Sequence, residues 1–204
     1  MEMERRFLAT EMRASEADEN IIEGYAVVYE METDLGWFRE SIARGAATEA
    51  LKMSDEFVLF NHNSDLPLAR RKNGTLTVTE DDKGLFIRAD VSKSSEGPNV
   101  YKNVKNGLID KMSFAFTVDE ETWTEKTDEK DLRTINKFRE LYDYSPVTYP
   151  AYKQTELVAR SAEKIAEEHK PTLVEPEPST EEDRSYLEEL DVYEREINLI
   201  EGEI

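Results

Sequence analysis

The chain has 204 residues, with 46 Asp and Glu against 26 Lys and Arg, two His and no Cys, giving a net charge of −20 at pH 7. That length supports one sizeable core plus an appendage. The absence of cysteine excludes disulfides, thiolate metal sites and cysteine nucleophiles, and the acidity argues against broad binding to a phosphate backbone, which needs clustered Lys and Arg. No apolar run reaches the roughly 18 residues of a membrane-spanning helix, and MEMERRFLATEMRASEADEN at the N-terminus lacks the apolar stretch of a signal peptide. The expectation is a cytosolic, soluble protein that binds neither nucleic acid nor membrane.

In chain order, residues 7–31 read as strand, turn, strand. FLATEM alternates, SEADEN is a polar turn, and IIEGYAVVYEM is rich in β-branched and aromatic residues. FRESIARGAATEALKM, residues 38–53, has helical character, interrupted by Gly45. FVLFNHN reads as a short buried strand that ends at Asn61-His62-Asn63. An Asn73-Gly74 turn signal then leads into a hairpin, TLTVTE, DDKG and LFIRADVS. Pro98 opens a short helix, PNVYKNVKN, which Gly107 closes. KMSFAFTVDE and the stretch through LYDYSPVTYPAY complete the strands, joined by the polar TEKTDEKD, and Pro146 is expected to interrupt the second of them. The sequence lacks the strand–helix alternation of a parallel doubly wound sheet. The fold class is mainly β with short helices (α+β), mixed or barrel-like, with the folded domain spanning residues 1–160.

Beyond that point the composition changes. Residues 161–204 hold 15 Asp and Glu against 4 Lys and Arg. SAEKIAEEHK extends a helix, and PTLVEPEPST reads as linker, so residues 161–180 are assigned as an acidic, Pro-rich connection. In residues 181–204, Tyr186, Leu190, Tyr193, Ile197, Ile200 and Ile204 recur at heptad spacing. A helix of fewer than about three heptads is marginal alone in water, so it either packs on its own domain or serves a partner or a second copy.

Without cysteine, a nucleophile has to be Ser, Thr, Lys or a carboxylate. In KMSFAFTV the large Met112, Phe114, Phe116 and Val118 share one strand face, and Ser113, Ala115 and Thr117 share the other. Small side chains leave room beside the Ser113 hydroxyl, or else face a close-packed neighbour. A serine hydroxyl needs a base within hydrogen-bond reach, and His62 is the single imidazole in the expected folded body, since His169 lies in the charged segment beyond it. Asp143, in LYDYSPVT, is a carboxylate within an apolar, aromatic strand and needs a partner or an exposed site. Two histidines in different regions, no calcium-loop spacing and no Gly-rich phosphate loop give no support for a metal or a nucleotide cofactor.

The words around these residues resemble those of the prohead maturation proteases of tailed bacteriophages, a family whose fold is similar to herpesvirus assemblin. Gly24-Tyr25-Ala26 and Phe38-Arg39-Glu40…Gly45-Ala46 match its opening elements. Asn61-His62 with Pro67-Leu68-Ala69-Arg70 matches its Asn-His block, and Asp82, Gly84 and Leu85 its hairpin. Gly107, Ile109, Met112, Ser113 and Phe116 match the block around its serine. Leu141, Asp143, Ser145, Val147, Thr148, Pro150 and Ala151 match its last block, with Asp143 standing where the family usually shows Glu. The likeness covers about residues 7–155, and it is the set of blocks in order that makes it specific.

The resemblance implies a serine endopeptidase of procapsid maturation, with an assemblin-like β-barrel domain, Ser113 as nucleophile, His62 as general base and Asp143 to orient the imidazole. It implies as substrates scaffold, or the scaffolding segment of the major capsid protein, and the protease itself by autocleavage. It implies action inside the viral procapsid in the host cytoplasm, with no cofactor. Backbone groups near Arg70 are candidate oxyanion donors, and the C-terminal helix is a candidate for scaffold docking or self-association. A non-catalytic capsid-assembly factor with the same fold is the alternative. An esterase using the same residues is disfavoured by the missing Gly-x-Ser-x-Gly elbow.

Overall fold

A computed structural model describes residues 3–8, 12–125, 130–148 and 156–169. The chain divides into one compact unit, Met1–Glu168, and a second, His169–Ile204, of which His169 alone falls within the described residues. In order, the elements are β1 (Glu4–Leu8), β2 (Arg13–Ala14), β3 (Ile21–Val28), β4 (Thr33–Asp34), β5 (Arg39–Ile42), α1 (Ala50–Met53) and β6 (Phe57–Leu59). A tight turn, Phe60–His62, leads to β7 (Pro67–Arg70), β8 (Leu76–Glu80), β9 (Gly84–Asp90), α2 (Gly97–Lys105), β10 (Lys111–Thr124), β11 (Leu132–Val147) and α3 (Glu156–His169). The fold is mainly β with few short helices.

The strands form two sheets. One is mixed and seven-stranded, ordered β1-β10-β11-β5-β4, with β6 beside β11 and β7 beside β6. The other is an antiparallel four-stranded sheet, β2-β3-β9-β8. No ladder closes on itself among the described residues, so the barrel expected from sequence is replaced by two open sheets. The first of them ends in β1 on one side and the two-residue β4 on the other. One apolar core draws on both sheets. Phe114, Phe116 and Phe138 meet at centroid separations of 4.9–6.1 Å, and the same core takes Ile22 and Val27 from β3 and Leu85 and Ile87 from β9.

The hairpin β8–β9 turns where DDKG places it, and Gly84 is required there. Its φ is +154°, and an added Cβ would lie 2.0 Å from the Val27 carbonyl oxygen. The helix expected over residues 38–53 is not formed as such. Arg39–Ile42 instead pairs in parallel with Leu132–Ile135, Gly45 at φ +80° turns the chain, and only Ala50–Met53 is helical. Non-local pairing with β11 overrides a local preference worth tenths of a kcal/mol per residue. Pro146 sits opposite Met112 and does not break β11. Its other edge is paired with β6 at Asp143 alone, and proline is tolerated at such edge positions. The boundary expected at residue 160 falls within α3. The linker beyond it and the heptad helix of residues 181–204 lie outside the described residues.

A buried ionic cluster spans the mixed sheet on the face opposite Ser113. Arg6 of β1 donates to Glu40 of β5 at 2.6 Å and to Glu4 at 2.5 Å. Arg133 of β11 donates to Glu4 at 2.7 Å, to Glu40 at 2.9 Å and to Glu121 of β10. Edge strand, long hairpin and β5 are thereby tied together beneath the strands that carry the site.

Candidate active site

The strand register brings the three sequence-selected residues together. Ser113 of β10 lies directly opposite Ser145 of β11, and Asp143 lies two residues before Ser145, hence on the same face. Ser113 and Asp143 are therefore a diagonal cross-strand pair, a separation of about 7–8 Å between backbone positions. That gap suits an imidazole ring with a hydrogen bond on each side. His62 fills it, with Nε2 2.5 Å from Ser113 Oγ and Nδ1 2.6 Å from Asp143 Oδ1. The shorter Asp side chain, in place of the family's usual Glu, reaches the ring.

What holds His62 there is a strained turn. β6 delivers the chain beside β11 through the pair Phe57 and Asp143. Asn61 and His62 then both adopt left-handed backbone, at φ +53° and +56°. Asparagine visits that region readily, whereas histidine does so less often. Such conformations cost of order 1–3 kcal/mol and persist where the surroundings over-determine them. Here the Asn61 side chain supplies the restraint, because its Oδ1 accepts the Thr148 backbone N–H at 3.0 Å and clamps the turn to the end of β11. The Asn-His and Val-Thr blocks of the sequence thus meet in space.

The constellation is dry. Ser113 and Ser145 are 0% exposed and Asp143 5%. A carboxylate so deeply buried needs hydrogen-bond partners, and this one receives two donors on one oxygen. Asp143 Oδ1 takes His62 Nδ1 and also the Ser145 hydroxyl, which donates at 2.5 Å. Next to it in sequence, burial and then the Glu56 charge push the Tyr144 phenol well up from its ordinary value, so it stays protonated. Glu56, just before β6, is itself raised by burial, with Arg71 at 2.9 Å pulling the other way.

Both faces of β10 are buried from Met112 to Val118, so the small-residue face does not open to solvent as an empty slot. The candidate oxyanion donors near Arg70 are otherwise engaged. The N–H groups of Arg70, Arg71 and Lys72 donate to Thr75 Oγ1, the Glu56 carbonyl and Asp55 Oδ1, respectively. The Arg70 guanidinium pairs with Asp55 at 2.5 Å. An open groove of about 350 Å³ lies along β7, lined by Phe57, Leu68, Arg70 and Lys93 among others. Sequence reasoning missed the parts played by Ser145 and Asn61. Ser145 had a signal, because period-two alternation puts it on the face of Asp143. Asn61 had none, since the clamp depends on a tertiary contact.

A serine hydroxyl, an imidazole and a buried carboxylate in series are the arrangement of a serine hydrolase. The chain belongs to the family of caudovirus prohead serine proteases, which residues 9–170 match. A relative, the prohead protease of Escherichia phage T5, is 29% identical over 98 residues, which make up 48% of this chain and 42% of that protein. The matched part thus spans less than half of that relative's length. Among solved structures, the bacteriophage T4 capsid assembly protease is similar at a TM-score of 0.48 and 13% identity, over 73% of this chain and 98% of that one.

Proposed function

We propose that this chain is a serine endopeptidase of phage head maturation, cleaving scaffold or the scaffolding segment of the major capsid protein, and itself, inside the procapsid in the host cytoplasm. The observation that carries this reading is the unbroken series Ser113 Oγ, His62 Nε2, His62 Nδ1, Asp143 Oδ1, with contacts of 2.5 and 2.6 Å. His62 takes the Ser113 proton as Oγ attacks the scissile carbonyl, then returns it to the leaving amine. Asp143 fixes the tautomer with Nδ1 protonated and balances the imidazolium that forms. A water then attacks the ester carbonyl of the acylated Ser113, giving its proton to His62, which passes it to Ser113 Oγ as the ester bond breaks and the carboxylic acid leaves. The family's likeness to assemblin belongs to the same reading.

The test is co-production with the major capsid protein of the same phage. A shortened capsid band is expected with the native sequence, and a full-length band with Ser113→Ala. Diisopropyl fluorophosphate should add to Ser113, read as a mass increase on the peptide that contains it. A non-catalytic assembly factor is the second reading, favoured by the full burial of Ser113. Under the endopeptidase reading the chain covering that hydroxyl moves aside for substrate. Persistent lack of both cleavage and adduct selects the assembly factor.

Asp143→Asn should lower turnover by about ten-thousandfold, less than loss of the serine, because an orienting residue typically costs less than nucleophile or base. Glu140→Gln, at an exposed position on the same strand, should leave turnover unchanged. The reverse pattern in steady-state kinetics would name the wrong carboxylate.

Residues 171–180, beyond α3, are proposed as linker and residues 181–204 as an amphipathic helix that docks on scaffold, raising the effective concentration of protease near substrate. Truncation after residue 170 should then preserve reaction with diisopropyl fluorophosphate while reducing capsid processing within procapsids. Normal maturation by the truncated chain would refute docking.

A further inference from the structure

We infer that Ser145 is a positioning residue for the site, a fourth member that sets the rotation of the Asp143 carboxylate; this rests on the reading of Ser113, His62 and Asp143 given above. A carboxylate turns about its last side-chain bond in a broad, two-fold well, and one hydrogen bond to an imidazole does not fix that turn. Ser145 supplies the second restraint. Its hydroxyl donates at 2.5 Å to Oδ1, the same oxygen that receives His62 Nδ1. The donor is rigidly held, since Ser145 is 0% exposed and stands opposite Ser113 in the β10–β11 ladder. Both serines thus face the same imidazole–carboxylate pair, one at each end of it.

The two roles cannot be exchanged. His62 Nε2 is in contact with Ser113 Oγ, whereas the hydroxyl of Ser145 is spent on Asp143. Other charged groups on the surrounding elements include Asp55 and Arg70, Glu56 and Arg71, both pairs joining the chain around β6 and β7, Asp65 after the Asn61–His62 turn, Lys111 with Asp110 at the start of β10, and Arg5 of β1. None of them donates to Asp143 among the described hydrogen bonds. Restraint of the carboxylate therefore falls to the Ser145 hydroxyl and the imidazole itself.

The test is Ser145→Ala in the full chain, with two readouts. The first is the rate at which diisopropyl fluorophosphate labels Ser113, expected to fall by about 10–100-fold at an unchanged melting temperature or after correction for the folded fraction. The second is the proton on His62 Nδ1, followed by NMR in the Ser113→Ala protein, where no chemistry intervenes; His62→Gln identifies its signal among the two histidines. That proton should be sharp and slowly exchanging with Ser145 present and broadened by exchange with water in Ser145→Ala. A purely structural serine would lower the melting temperature and leave both readouts of the folded protein as they were, which overturns the inference. Should Ser145→Ala fail to fold, Ser145→Cys keeps the shape with a weaker donor, and the same two changes are expected at smaller size. If Ser113 proves unreactive in the native chain, the peptidase reading fails, yet the His62 proton still decides the role of Ser145.

Discussion

Under the endopeptidase reading, Ser113→Ala is expected to yield a folded protein that leaves capsid protein uncut, with turnover lowered by on the order of a millionfold, the usual consequence of losing the nucleophile of a triad. His62→Gln should match it in size, because nucleophile and base act as a unit and neither works without the other. Folding should survive the serine change. It removes one oxygen at a site already fully enclosed, so the cost is an unsatisfied contact of about 1–3 kcal/mol rather than a rearranged sheet. Steady-state cleavage of the cognate capsid protein measures the first effect, and thermal melting followed by circular dichroism measures the second. Native rates of processing by Ser113→Ala would remove this serine from the chemistry and leave the His62–Asp143 pair without a reacting partner.

The sequence made the site legible in an uneven way. Local patterns placed the β8–β9 hairpin, α2 and the alternating strand that carries Ser113, because turn chemistry and two-residue periodicity are written in neighbouring positions. Scarcity singled out His62, and an apolar setting singled out Asp143. Features that depend on distant partners stayed hidden. Arg39–Ile42 looks helical until β11 is there to pair with it, and Pro146 looks like a break until the open edge of that strand is known. The left-handed turn at Asn61 and His62 is stabilised by Thr148, 87 positions away from Asn61. Burial of Ser113 was likewise invisible, since a face of small residues reads the same whether it lines a cleft or lies beneath other chain.

Arg133→Met is expected to destabilise the fold by about 3–5 kcal/mol, the range for breaking a buried ion pair from one side. Arg133 is 2% exposed and Glu4 and Glu40 are 7% and 4% exposed, so the loss leaves two carboxylates sharing the single guanidinium of Arg6 in a dry setting. For a domain of this size the change corresponds to a fall in melting temperature of roughly 6–20 °C. Burial alone would raise the Glu4 carboxyl, but hydrogen bonds and charge from Arg133 and Arg6 outweigh it and hold the folded value below the ordinary one. A depressed carboxyl contributes stability that is complete above its unfolded value, near about 4.3, and is lost as pH falls through the folded value. Native protein should therefore lose stability below about pH 4–5, and Arg133→Met should flatten that acid limb as well as lower the plateau. Replacing Glu4 and Arg133 together by apolar residues of similar volume should recover much of the loss, because desolvation of a buried pair offsets most of its attraction. A double-mutant cycle in denaturant unfolding measures the coupling. If the single and double variants are equally unstable, the apolar surroundings, including the Phe116 ring 5.6 Å from the Arg6 guanidinium, carry the stability and the ions do not. If the cycle closes as expected, the cluster on one face of β10 and β11 fixes the two strands whose other face holds Ser113 and Asp143. Arg133→Met should then slow labelling of Ser113 even at temperatures where the variant remains folded.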